Sequence, residues 1–282
     1  MVSKPSLLGK VNKEELVDMY IDRSMSLNEI GRRFGKTNKA VRSILTYYDI
    51  PIRGRYDSYK ISRNKENALR VNEDFFFTDS NDLYYFIGLM GSDGCLTDKN
   101  VVHLGMHDKD VVEYAKSIIG LQNELRQRRQ REGGIIYVFS FGNPKIANRL
   151  KHFGIAPRKS LNYSPKNIPK NYHKDFVRGM FDGDGTIYKN KRPLANGEYS
   201  INYRVGFVSA SKDCIYYLKS IIDDAIGTDL NVTFYSKGNG LYRIQFSAHK
   251  DVTNFAKWMY GEDLEHFGMA RKKEKFKEVL EV

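Results

Sequence analysis

The sequence predicts an α+β fold: two copies of one αββαββα unit, related as a pseudo-twofold pair and preceded by a small helical module. Three observations predict it. The stretch YFIGLMGSDGCLTD (85–98) recurs in frame as FVRGMFDGDGTIYK (176–189), sharing aromatic–x–x–Gly–apolar–x–x–x–Asp–Gly, with Asp93 matching Asp184. After each copy the hydrophobic period switches between two and 3.6 in the same order, which is the mark of an internal repeat. Residues 1–52 carry only helical spacing with capping and glycine-stop signals.

In that N-terminal module the spacing predicts helices over Lys13–Ile21, Ser26–Phe34 and about Thr37–Tyr48. Ser26 with Glu29 three residues on is a capping-box pattern, and Gly35 is a stop. Leu16, Met19, Tyr20, Leu27, Ile30, Phe34, Val41, Ile44 and Leu45 fall at helical spacing and predict one small core. Two helices joined by a short glycine turn have the helix-turn-helix layout, in which the second helix presents its N-terminal residues to base edges. Here those residues are Lys36, Thr37, Asn38, Lys39 and Arg42, all able to contact phosphate or bases. A plain packing module with a basic face is the alternative.

Residues 53–78 show little apolar periodicity and many Arg, Lys, Ser and Asn side chains, which predicts a basic linker or extended arm able to track phosphates. The first repeat then occupies 79–170 and the second 171–282. After each Asp-Gly comes a strand pair, then a helix opened by Lys-Asp, KDVVEYAKSIIG (109–120) and KDCIYYLKSIIDDAIG (212–227). Two strands around a glycine turn follow, then helical sequence closing on HFGIAPRKSL (152–161) and HFGMARKKEKF (266–276).

Composition narrows the function. The chain has 282 residues, of which 41% are hydrophobic and 13% aromatic, so it folds rather than staying disordered. No apolar run approaches the ~18 residues that span a bilayer, and the N-terminus lacks the apolar core of a signal peptide. A soluble, cytoplasmic protein is expected. Cys95 and Cys214 are its two cysteines, which excludes a disulfide framework and a cysteine zinc site. The formal net charge is +12, as expected of a protein held near a polyanion. The first 70 residues carry 15 basic and 8 acidic side chains, more than half of that excess.

FIGLMGSDG (86–94) and VRGMFDGDG (177–185) resemble the two signatures of the single-chain LAGLIDADG homing endonucleases. The resemblance covers about 200 residues and includes the APRKS and ARKKEKF segments; the helix-turn-helix module is an addition to it. It implies a monomeric, site-specific double-strand DNA endonuclease dependent on Mg2+ or Mn2+, with double-stranded DNA as partner and no obligatory protein partner. In that family the two motif helices pair centrally and set their last aspartates side by side. Gly88 and Ser92, like Gly179 and Gly183, sit four residues apart on one helix stripe and would let two backbones approach closely. Asp93 and Asp184 would then share metal, since paired carboxylates at helix C-termini repel each other unless a cation neutralises them. By position, Lys159 and Lys272 look like the family's basic pocket residues, which stabilise developing phosphorane charge or position water.

The resemblance also implies a saddle-shaped sheet over the duplex. In period two, Ile201, Tyr203, Val205 and Phe207 face one way and Asn202 and Arg204 the other. Arg126 with Arg128, Thr233 with Tyr235, Arg243 with Gln245, Thr97 with Lys99, and Tyr188 with Asn190 are the further residues expected to face DNA. One departure stands out: the first motif has Gly91 where the second has Asp182. Because the family's retained residue is the later aspartate, activity is expected to survive, with the first helix packing or ending differently; the flexible Gly91–Ser92–Asp93–Gly94 run leaves a decayed first site open. The rival reading is a non-cleaving DNA- or RNA-binding protein, a regulator or intron maturase, on the same fold.

Overall fold

Asn12, Ser26 and Thr37 each accept a hydrogen bond on the side chain from the backbone N–H three residues on, at 2.7, 3.1 and 3.4 Å. They start α1 (Lys13–Val17), α2 (Leu27–Arg33) and α3 (Asn38–Tyr47). Such caps satisfy N–H groups that a helix cannot pair internally. The computed structural model describes residues 5, 7–68, 71–130, 133–193, 197–235 and 240–281. They fall into two units, 1–66 and 67–282.

In the first unit, α1 passes into a wider turn over Asp18–Asp22. The Glu29 carboxylate accepts from the Ser26 backbone at 2.6 Å, completing the capping box. Gly35 takes φ +62°, a left-handed conformation natural to glycine. Leu16, Met19, Tyr20, Ile30, Val41, Ile44 and Leu45 are buried together, joined by Leu7, Val11 and Ile50; Leu27 and Phe34 pack partly buried against them. The segment expected as a basic linker or extended arm is helical over α4 (Arg55–Ala68), so it is not extended there. Its stretch lacks Gly and Pro and is rich in Arg, Lys and Asn, so nothing breaks the helix. The missing apolar periodicity shows as Tyr56 and Tyr59, both exposed. Beyond it, Val71 and Phe76 belong to the core of the second unit.

The second unit holds both repeats. Its motif helices are α5 (Asn81–Gly91) and α8 (His173–Asp184), buried over most of their length. The first repeat adds β1 (Gly94–Leu96), β2 (Val101–Met106), α6 (Lys109–Ile118), β3 (Arg126–Arg129), β4 (Ile135–Gly142) and α7 (Pro144–His152). The second adds β5 (Gly185–Pro193), β6 (Tyr199–Ser209), α9 (Lys212–Ile226), β7 (Val232–Tyr235), β8 (Leu241–Phe246), α10 (His249–Tyr260) and α11 (Ala270–Leu280). The sheets are antiparallel, in the matching orders β1-β2-β4-β3 and β5-β6-β8-β7. Alternate strand residues face the helices: Val102, Leu104, Phe139 and Phe141 in one repeat, Val205, Phe207, Ile244 and Phe246 in the other. Phe181 of α8 lies 5.6 Å from Phe207, 5.8 Å from Phe255 and 5.4 Å from Phe276, seating the motif helix on sheet and outer helices at once.

The repeats differ in two places that bear on the site. ARKKEKF lies in the helix α11, whereas APRKS makes only a 3-10 turn over Lys159–Leu161. Pro165 and Pro169 follow it and prevent a helix from continuing. The β1–β2 hairpin is also much shorter than β5–β6. Thr97 and Lys99 consequently lie in the turn after β1, not on a strand. Thr97 spends its hydroxyl on the Val101 N–H at 3.1 Å, and Asn100 closes the turn at φ +57°. Ile201 shares the inward side of β6 but lies beyond the core and is 49% exposed.

Candidate active site

The site is set by how closely α5 and α8 approach. A Cβ built on Gly179 would meet the Tyr85 carbonyl oxygen at 2.1 Å, and one on Gly183 would meet Ser92 Oγ at 2.0 Å. At Gly179 the obstacles are backbone atoms, so there the helices run backbone to backbone, while the Ser92 side chain fills the space at Gly183. Asp184 is the last residue of α8, and Asp93 directly follows the cap Ser92 of α5. Both aspartates thus sit at the negative ends of their helices. The ideal Cβ position of Gly183 lies 2.8 Å from Asp93 Oδ2, so the first aspartate leans on the second helix.

Both aspartates reach solvent, yet the protein behind them strips water from their carboxyls. Desolvation raises Asp93 above the ordinary carboxylate range despite the attraction of Lys272 and Lys159. Asp184 is pushed up to about 6, first by desolvation and then by the charge of Asp93. Two crowded carboxylates of this kind favour a proton or a cation between them.

Lys159 and Lys272 are both buried, at 8% and 4% exposure. Lys159 donates from Nζ to the Ser92 carbonyl at 2.9 Å. Lys272 donates to the carbonyls of Phe181, Asp182 and Gly183 at 2.6, 2.9 and 3.1 Å. Burial lowers both ammonium pKa values, Lys272 to about 8, while aspartates of the site pull them back up. For Lys159 the stronger such partner is Asp184, in the other repeat.

Hard oxygen donors are what Mg2+ or Mn2+ prefers, and the crowded Asp93–Asp184 pair offers them together with unneutralised charge. The pair therefore fits a divalent cation. Among the described residues there is no cluster of three or more His, Cys, Asp or Glu side chains.

Away from the helices, strand register gathers the polar residues of the second sheet on its open face. Tyr188 stands opposite Arg204, Asn190 opposite Asn202, and Thr233 opposite Arg243. The Tyr188 hydroxyl accepts from Gln245 Nε2 at 3.0 Å and from Arg204 at 3.5 Å, and the Arg243 guanidinium lies 4.6 Å over the Tyr235 ring. In the first sheet Arg126 and Arg128 pair with Val138 and Ile136 along β3, which is exposed throughout. Thr97 and Lys99 lie in the turn after β1, outside the paired strand register. In the first unit Thr37, Asn38, Lys39 and Arg42 are exposed, and Lys36 lines a shallow hollow with Asn28 and Arg32.

Sequence reasoning missed a buried network at the centre. The Asp182 carboxylate accepts from Tyr85 OH at 2.8 Å, Tyr260 OH at 3.2 Å and the Met269 N–H at 3.0 Å, tying both repeats together. The absence of its counterpart at Gly91 has a steric cause. A Cβ there would lie 2.7 Å from Met180 Sδ and 2.7 Å from the Tyr163 ring. Also missed were the buried Arg178–Asp175 pair at 2.9 Å and the two-pronged Arg271–Asp108 pair at 2.7 and 3.0 Å. Tyr85, within α5, and Tyr260, the last residue of α10, carry no sequence signal that they share a distant carboxylate.

No family model matches the chain. The probable translation initiation factor IF-2 of Methanocaldococcus jannaschii is 30% identical over 146 residues, which are 50% of this chain but 11% of that protein. The chain thus spans about a tenth of that relative's length. The uncharacterized protein MJ0398 of the same organism is 24% identical over 237 residues, covering 78% of this chain and 79% of its own. Among solved structures, the LAGLIDADG homing endonuclease I-LtrWI bound to target DNA superposes with a TM-score of 0.52 at 12% identity, over 71% of this chain and 90% of that one. The chain has the two-repeat fold of that endonuclease.

Proposed function

We propose that this protein is a site-specific, divalent-metal-dependent double-strand DNA endonuclease acting as a monomer, with its N-terminal unit serving as a helix-turn-helix grip on the duplex. One observation carries the reading: the carboxylates of Asp93 and Asp184 crowd together at the ends of two backbone-packed helices, each helix end held by a buried lysine. The fold shared with I-LtrWI, an endonuclease solved on its target DNA, supports the substrate.

In this reading Asp93 and Asp184 hold the cation. A bound Mg2+ supplies Lewis acidity to phosphate oxygens and makes a nucleophile of water. The duplex lies against the open sheet faces, where Arg126, Arg128, Asn190, Asn202, Arg204, Arg243 and Gln245 read groove edges and phosphates. Tyr188, Thr233 and Tyr235 face the duplex with them, and Tyr188 and Tyr235 also hold Gln245 and Arg243 in place. One chain brings both aspartates, so it needs no second copy to assemble the pair. Among the described residues no helix is long and apolar enough to cross a membrane.

The experiment selects duplexes from a pool with randomised inserts by binding to the protein in Ca2+, then transfers them to Mg2+. Double-strand cuts at fixed bonds are expected. Selected duplexes that stay bound and intact in Mg2+ and Mn2+ would replace the nuclease with a non-cleaving binder.

A further inference from the structure

The two pocket lysines occupy matching places in the repeats, but their ammonium groups are spent differently. An ammonium has three N–H donors and no acceptor. Lys272 directs all three at successive carbonyls of the last turn of α8, those of Phe181, Asp182 and Gly183. The Asp182 and Gly183 carbonyls belong to the set that no helix can satisfy internally, while that of Phe181 also accepts the Gly185 N–H, and a cation there meets the negative end of the dipole. Among the described residues Lys159 makes one hydrogen bond, to Ser92 O at 2.9 Å. Its other two donors lie in the field of Asp184 and Asp93.

The cause of the difference is visible in the helix ends. In α5 the Ser92 hydroxyl turns back onto the carbonyls of Leu89 and Gly88, at 3.1 and 3.3 Å. In α8 the equivalent position is Gly183, which must lack a side chain because Ser92 fills the space. The second helix therefore has no side-chain cap of its own, only the Gly185 N–H returning to the Phe181 carbonyl. Lys272 takes that role from a rigid base: it sits in the first turn of α11, beside Arg271 clamped to Asp108 and one turn before Phe276 packed on Phe181. Lys159 stands on a 3-10 turn.

We infer that the two lysines are not equivalent: Lys272 is a positioning residue that caps α8 and fixes Asp184, whereas Lys159 is the lysine whose free N–H donors act on the phosphate. The inference rests on the endonuclease reading for Lys159, and on geometry alone for the capping by Lys272.

Melting of the full-length chain without DNA tests the capping half. Lys272→Met is expected to lower Tm by several degrees and to speed amide exchange over 183–186, while Lys159→Met does neither. Cleavage of the duplexes selected in Ca2+ tests the chemistry. Lys159→Met is expected to slow single-turnover cutting about a hundredfold at saturating Mg2+, with an unchanged Mg2+ midpoint. Lys272→Met is expected to raise the Mg2+ midpoint about tenfold while keeping the maximal rate within about threefold of wild type. Lys272→Gln keeps two N–H donors without the charge, and it guards against a Met variant that fails to fold. It is expected to restore most of the Mg2+ midpoint, whereas Lys159→Gln stays slow. Equal losses of Tm, or a Lys272→Gln enzyme as slow at saturating Mg2+ as Lys159→Gln, would overturn the inference. A pool that wild type leaves uncut would overturn the endonuclease reading and the role of Lys159, while melting and exchange would still decide whether Lys272 is the cap.

Discussion

Gly88 and Gly179 face each other across the helix pair so closely that a Cβ on Gly88 would stand 2.9 Å from the Gly179 Cα and 2.2 Å from the Phe176 carbonyl oxygen. The obstacles are backbone atoms, which cannot swing aside as a side chain can. Overpacking typically costs about 1–3 kcal/mol, and a backbone collision belongs at or beyond the top of that range. Gly88→Ala and Gly179→Ala are each expected to lower the urea midpoint of the 67–282 unit strongly. Gly54→Ala, whose new methyl would meet only Asp57 Oδ2 at 3.7 Å, should be nearly neutral. Comparable midpoints for all three variants would mean that the helices are not in backbone contact.

Asp182 makes stability depend on pH. Burial pushes its carboxyl up to about 6 from 3.8, although Tyr85, Met269, Lys272 and Tyr260 all pull the other way. A carboxyl raised in the folded state contributes most below its unfolded pKa, and that contribution is lost as pH rises through the folded value. The swing is on the order of 3 kcal/mol between about pH 4 and pH 7. In urea unfolding, the stability of wild type minus that of Asp182→Asn is expected to fall across this window. A difference that stays flat, or rises with pH, would show that the carboxylate is not desolvated.

Asp184→Asn takes away a carboxylate charge without touching the sheet faces. Loss of groups that merely support a metal ligand costs about 10–100-fold, so loss of the ligand should cost more. Cutting of selected duplexes is expected to fall by more than about a hundredfold, with affinity in Ca2+ little changed. Asp93→Asn should behave alike, because the raised pKa of Asp184 arises partly from Asp93. If Asp93→Asn still cuts both strands at the wild-type rate, the two carboxylates do not share one metal clamp.

Much of this was legible because it is local or periodic. The motif pair, the glycine stripes and the alternation in β6 follow from spacing alone, and the matching strand orders repeat them in three dimensions. What escaped depends on contacts between distant segments. Tyr85 and Tyr260 meet at Asp182 across the chain, and Tyr163 fills the space that leaves Gly91 no side chain. That residues 55–68 form a helix, not an extended arm, escaped for a different reason. Sequence shows whether a helix has a face to bury, and α4 forms with Tyr56 and Tyr59 in solvent. That Thr97 sits in a turn was not legible either, because it depends on its hydroxyl bonding the Val101 N–H, with Asn100 at positive φ.

The N-terminal unit has its own core, separate from that of the rest of the chain, so the two can be parted. The cut belongs before Asn67. A chain beginning at Glu73 would lose the buried Val71 and the Asn72 N–H bond to the Ile119 carbonyl at 2.9 Å. If the exposed Thr37, Asn38, Lys39 and Arg42 grip DNA, the unit is a second binding module on a tether, and linked modules raise each other's effective concentration. Removing it should then weaken binding by more than its own few side chains on the duplex would account for. Each phosphate it no longer neutralises should also flatten the slope of log affinity against log salt by about 0.9. The chain 67–282 is therefore expected to cut the same bonds as the full protein, to bind more weakly with a shallower salt slope, and to protect a footprint shortened at one end. Shortening at one end follows because one module on one chain can flank only one half-site. Nuclease footprints at two salt concentrations check this; coincident footprints and equal slopes would mean that the basic helices of the N-terminal unit do not touch the duplex.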